Sequence, residues 1–134
     1  MMKFVHLYRG IYALSITSIL ADFAVTYIGM EKFTIWLETN PYILLLMRYM
    51  PAKLALLSVT AISLLTATLA YLTCSDWLNE HPYKSKLTDV AVYLATAEQV
   101  KGRDIAIFVT LTLYILLAWT HITGAWSWLK LLLF

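Results

Sequence analysis

The chain has 134 residues, 61% hydrophobic and 13% charged, with a net charge of +2. A soluble domain carries about a quarter charged residues, and one this small has too much surface to hide such an apolar excess. The composition therefore excludes an ordinary soluble domain. The weak charge excludes a nucleic-acid binder built on a basic surface, and the single cysteine, Cys74, excludes an internal disulfide. Lipid is the natural solvent, and the expected fold is all-α: an integral membrane protein with three transmembrane helices plus one interfacial amphipathic helix.

Lys3 and Arg9 precede an apolar run, as in a signal peptide, but the run continues past Asp22 to Met30. That is longer than a signal-peptide core, so it reads as an uncleaved first span over about residues 11–30. Twenty helical residues cover the ~30 Å hydrocarbon layer. Ser15, Ser18, Asp22, Thr26 and Gly29 recur at helical steps on one face. That face is expected to look toward protein, since helices in lipid associate through small residues and hydrogen bonds.

Residues 31–42 are amphipathic and aromatic. Trp36 and Tyr42 suit a headgroup belt, and Pro41 can open the next helix. The clean apolar part of the second span is about 52–74, preceded by another apolar run at Ile43–Met47. A single helix from Tyr42 to Cys74 would be about 50 Å long. It would have to tilt and kink at Pro51, or its first piece is a short half-helix at the interface. Thr60, Ser63, Ala67, Ala70 and Cys74 form a second small-residue seam.

Leu87, Val90, Ala91 and Leu94 follow helical spacing inside the longest polar stretch, with Asp89, Glu98 and Gln99 off that stripe. This predicts a surface-lying amphipathic helix over about 86–100, or one docked on a partner subunit. The third span is expected over about 105–123, broken or bent by Gly124. The tail after it prolongs the span or lies along the interface. The nine tyrosines and five tryptophans read first as interface anchors.

For orientation, Lys3, Arg9, Lys84, Lys86, Lys101 and Arg103 fall on one side of three spans, and Lys32, Arg48, Lys53 and Lys130 on the other. The bias places the end carrying Lys3 and Arg9 in the cytoplasm of a multi-pass cell-membrane protein. If Arg48 and Lys53 are buried, the bias strengthens.

Asp22 is the residue with the most at stake. An ionised carboxylate inside a span costs several kcal/mol unless paired, hydrated or protonated. It reads as a proton or cation site, or as an aspartate bonded to a neighbouring helix or subunit. If a helix starts at Tyr42, Lys53 lies about 17 Å deep and Asp22 about 12 Å below the same surface. Asp22 is therefore expected to pair with Lys53 or with Arg48, and Pro51 to free a backbone carbonyl near Met47. The alternative has Arg48 and Lys53 snorkelling to headgroups.

Asp22-x-x-x-Thr26, then Glu38-Thr39-Asn40-Pro41, then Pro51-x-Lys53 together resemble a family of small bacterial and archaeal membrane proteins known only as a domain of unknown function. The resemblance covers about residues 11–72. It implies a helical membrane fold, no established activity, and a polar cluster of Asp22, Glu38, Asn40 and Lys53 at the outer end of the first two spans.

His6, His81 and His121 are far apart, and Cys74, Asp76 and His81 match no recognised metal spacing. His121 suits a bond to a neighbouring helix. No His–acid arrangement accompanies the serines and threonines, and there is no glycine-rich phosphate loop. No catalytic group, metal or cofactor is expected. The expected role is an accessory subunit packed among other membrane subunits and lipid, as in a membrane oxidoreductase, respiratory complex or monooxygenase. The alternative is a small homo-oligomeric proton or ion transporter using Asp22.

Overall fold

From Phe4 onward the chain has no proline for more than thirty residues, and it forms one helix, α1 (Phe4–Lys32). A computed structural model describes residues 2–33 and 38–134; Trp36 lies outside them. α1 starts several residues before the expected first span. The face carrying Ser15, Ser18, Thr26 and Gly29 is buried.

The next helix shows why the second span was hard to bound. Asn40 accepts from the Tyr42 and Ile43 N–H groups (3.0 and 3.4 Å) and Pro41 fills the first helical position, which together start α2 (Pro41–Leu46). Residues 47–50 turn, Pro51 is extended, and α3 runs from Ala52 to Ser75. So the apolar run before Pro51 is a short separate helix rather than part of a long kinked one, and Pro51 frees no carbonyl inside a helix.

A 3₁₀ turn at Trp77–Asn79 leads to α4 (Leu87–Thr96) and then α5 (Gly102–Leu133). Asp89 and Asp104 each accept from the backbone N–H three residues earlier, Lys86 (3.3 Å) and Lys101 (2.9 Å), which fixes both helix starts. In α4 only Val90 is fully buried and Leu94 partly so, while Leu87 and Ala91 stay exposed. The stripe that meets the bundle is thus narrower than its spacing suggested. α5 does not break at Gly124, because nothing competes with its backbone ladder there; the helix carries the tail onward to Leu133.

α1, α3 and α5 are each long and apolar enough to cross a membrane. α1 packs most extensively on α5, with Tyr8 against Thr110, Asp22 against His121 and Gly29 against Trp128, so the two run parallel. α3 runs antiparallel to both, with Tyr12 Oη near Thr68 Oγ1 (3.4 Å) and the Tyr114 hydroxyl donating to Ala67 O (3.1 Å). At the Phe4 end, the Phe4 and Val5 N–H groups donate to Ser85 O (3.0 Å) and Tyr83 O (3.3 Å), tying α1 to the connection after α3.

Two apolar clusters form the core. One lies at the Phe4 end and includes Phe4, Tyr8, Leu78, Tyr83, Val90, Ile107 and Tyr114; the other lies at the Lys32 end and includes Met30, Ile43, Ala55, Leu56 and Trp128. Tyr8 and Tyr114 meet edge-on at 5.6 Å, and Tyr12 stacks on Tyr71 at 4.2 Å. Tyr8, Tyr83, Tyr114 and Trp128 are therefore core residues and not interface anchors. The tyrosines tolerate burial because each hydroxyl finds a partner: Thr110, Asp104 and Ala67 O, respectively. Burial, reinforced by Asp104, pushes the Tyr83 hydroxyl above the ordinary tyrosine range.

Candidate functional site

Between the two clusters lies a half-enclosed cavity of about 450 Å³. α1 contributes Asp22 and Thr26, and α3 contributes Val59 and Ser63. The loop and α2 add Glu38, Thr39, Asn40, Pro41, Tyr42 and Ile43, and α5 closes it with Leu117, Thr120, His121, Thr123, Gly124, Ser127 and Trp128. Its size falls in the range of small-ligand pockets, about 300–1,000 Å³.

At its inner wall His121 Nδ1 and Asp22 Oδ2 share a hydrogen bond (2.7 Å), and the Thr26 hydroxyl donates to Oδ1 (3.2 Å). Both ring and carboxylate are largely buried, with 13% and 17% of their side chains exposed. Gly124 sits one turn beyond His121 on the same face. A Cβ there would lie 2.9 Å from Asp22 Oδ1 and 3.1 Å from Oδ2, so the missing side chain is what admits the carboxylate. Asp22 lies about 15 Å along α1 from Lys32, well inside the apolar length of the helix.

The other wall holds Glu38, only 6% exposed. Its Oε1 accepts from the Thr39 and Asn40 N–H groups (2.9 and 2.6 Å). Oε2 is buried and, among the described residues, has no partner. The Trp128 indole lies beside this carboxyl without completing a bond to Oε2. Burial raises the Glu38 pKa above its ordinary 4.5; the two backbone N–H bonds oppose this, and the charge of Asp22 adds to it.

That shift has a consequence for stability. A carboxyl that holds its proton more tightly when folded stabilises the fold below its unfolded pKa, and this contribution is lost as pH rises through the folded value. Wild type should thus lose thermal stability as pH climbs from about 4 toward neutrality. Glu38→Gln keeps the acceptor for Thr39 and Asn40 and should flatten that slope. Thermal midpoints in detergent across the range test this, and an unchanged slope in the variant would remove Glu38 as its cause.

Four of the six residues singled out from sequence, Asp22, Thr26, Glu38 and Asn40, line this one cavity. Arg48 and Lys53 do not. Lys53 Nζ donates to Glu31 Oε1 (2.7 Å) and Tyr27 Oη (3.3 Å), with both charged side chains about half exposed. Arg48 is exposed. The expected pairing of Asp22 with either is replaced by His121. Its depth argument assumed a helix continuous from Tyr42, whereas α3 starts at Ala52 and puts Lys53 in its first turn. Exposure of both cations also leaves the basic count of the two ends at six against four.

His121 does bond a neighbouring helix, and that helix is α1. Trp128, Ser63 and Gly124 were missed as site residues. The available signal was Gly124, three residues from His121: a glycine inside a long apolar helix marks a close approach. Among the described residues no three His, Cys, Asp or Glu side chains gather as a metal-ligand set; Cys74 is buried, with its sulfur 3.7 Å from Thr110 Oγ1. No family model, no curated protein and no solved structure matches the chain.

Proposed function

We propose that this is a multi-pass cell-membrane protein of the transporter class that takes up a small cation at Asp22 and Glu38 and exchanges it for a proton. The observation that carries this reading is a cavity lined by two carboxyl side chains, Asp22 and Glu38, of which Glu38 Oε2 is buried and, among the described residues, has no partner. Ionisable groups inside a membrane bundle are expensive and are retained where they serve an ion or substrate path. The cavity lies beside residues 38–43, toward the Lys32 end. Passage to the other end requires the layer of Tyr8, Tyr114 and Ile107 to part, since all three are fully buried. The six-to-four distribution of Lys and Arg supports the Lys3 end as cytoplasmic.

A second reading is an accessory subunit of a larger membrane complex. It is supported by an outer groove between α1 and α5 with small residues Ser18, Ala21 and Ala125, where another helix fits closely. Only 17–22% of the most apolar stretch of each long helix is buried within the chain.

Proton flux in liposomes containing the purified protein, driven by a cation gradient, separates the two. Transport predicts flux in wild type that Asp22→Asn abolishes. Equal flux in both, or none in either, overturns it. Native mass spectrometry after mild extraction supplies the other arm, since different co-purifying subunits favour the accessory reading and a homo-oligomer favours transport.

A further inference from the structure

We infer that His121 carries the exchanged proton: its Nε2 takes the proton from the cavity, and that uptake discharges the pair with Asp22 and releases the cation. The inference deepens the exchange reading above and rests on it.

Among the described residues, the titratable side chains lining the cavity are Asp22 from α1, Glu38 from the loop, Tyr42 from α2 and His121 from α5. α3 adds Val59 and Ser63, and no Lys or Arg lines the space. Glu38 is closed to a proton arriving through the cavity. Its Oε1 accepts from the Thr39 and Asn40 N–H groups, and its Oε2 is sealed within protein. Asp22 has both oxygens engaged, by His121 and Thr26.

The imidazole differs. Nδ1 shares the hydrogen bond with Asp22, while Nε2 has no hydrogen-bond partner among the described residues. Nor is Nε2 sealed: the buried side-chain nitrogens and oxygens left without a partner there are Glu38 Oε2 and Arg103 Nε. The ring lines the cavity, whereas the groove outside the α1–α5 seam is lined by Ala21, Ile122 and Ala125 and not by His121. Its free nitrogen therefore opens inward. Asp22 is the positioning residue, because the bond at one ring nitrogen sets what the other can do.

Charge accounting then couples proton to cation. With the ring neutral and Asp22 ionised, the pair leaves one negative charge beside the cavity, and its field holds a cation. When the Nε2 lone pair binds a proton, Nδ1–H stays on Asp22 and the pair becomes neutral. The sum is the same whichever atom of the pair holds the proton. One proton enters for each single positive charge that leaves.

Nitrogen-15 NMR of the labelled full chain in phosphatidylcholine nanodiscs reads the ring directly. The chain has three histidines, and His121 is assigned by elimination with His6→Gln and His81→Gln, both at exposed positions. Acidification should protonate Nε2. At a pH where the ring is half protonated, sodium or potassium added at constant ionic strength should lower the protonated fraction. A fraction that neither cation changes overturns the inference, as does a ring that never titrates while flux proceeds. In liposomes His121→Gln, whose amide can still bond Asp22 but carries no proton, should lose at least about a hundredfold of the cation-driven proton flux. The ring measurement is made with His121 in place and stands whether or not that variant folds. Flux retained by His121→Gln overturns the inference and leaves exchange at Asp22 standing. A cation-dependent ring without wild-type flux removes transport and keeps the proton–cation pair. Neither flux nor a cation effect removes both.

Discussion

His121→Leu is expected to destabilise the folded protein by about 1–3 kcal/mol, the cost of leaving a buried acceptor without its hydrogen-bond partner. The cost arises on the Asp22 side. With the imidazole gone, the carboxylate keeps only the Thr26 hydroxyl, at 3.2 Å, deep in the apolar length of α1. Asp22 lines the cavity and keeps 17% of its side chain exposed, which places the outcome toward the lower end of the range. The diagnostic comparison is the double variant Asp22→Asn/His121→Leu, which removes the stranded charge together with its partner and should recover much of the loss. Unfolding in detergent at neutral pH measures both. If the single and double variants are equally stable, no charge is stranded at Asp22 and the pair is a neutral hydrogen bond. If His121→Leu matches wild type, the contact contributes nothing and Asp22 is held by other groups.

Much of this site was legible because helical spacing reports a face. Ser15, Ser18, Asp22, Thr26 and Gly29 fall on one side of any helix, and lipid gives such a row no partner, so its turning toward protein followed from the sequence, though not which helix it meets. Glu38 and Asn40 were marked by their place before Pro41, where Asn40 caps α2 and Glu38 holds the turn. Depth was legible too, but depth is only one coordinate. It put Lys53 and Arg48 near the level of Asp22 only while α2 and α3 counted as one helix. It could not give the rotation of α5 that brings His121 to α1 from 99 residues away. Pairings across such separations depend on which helices are neighbours, and three spans of similar hydropathy do not encode that locally. The buried tyrosines were misjudged for a related reason. A tyrosine suits an interface or a core equally well until the partner of its hydroxyl is known, and Thr110, Asp104 and Ala67 lie on other parts of the chain.

The contact of Gly29 on α1 with Trp128 on α5 gives the second large effect. Gly29→Ala is expected to cost about 2–3 kcal/mol, toward the upper end for overpacking a filled core. A Cβ on Gly29 would lie 2.6 Å from Cζ3 and 2.9 Å from Cδ2 of Trp128, so the indole must move. It has little room to do so, because Trp128 is packed with Met30, Ile43, Ala55 and Leu56 in the cluster at that end. The rigid ring cannot bend away as a methionine would, so the strain is relieved by parting the helices or by turning the indole toward the cavity. Either response alters the wall beside Glu38, so Gly29→Ala should weaken the cation-driven proton flux as well as stability. The double variant Gly29→Ala/Trp128→Leu separates the two effects. The smaller side chain makes room for the new methyl and should restore much of the stability lost in the single variant, but it removes the indole beside the Glu38 carboxyl and should not restore flux. Thermal midpoints and proton flux in liposomes from the same preparations read both outcomes. A stable Gly29→Ala variant would mean that α1 and α5 pack less closely than the seat of Trp128 on Gly29 requires.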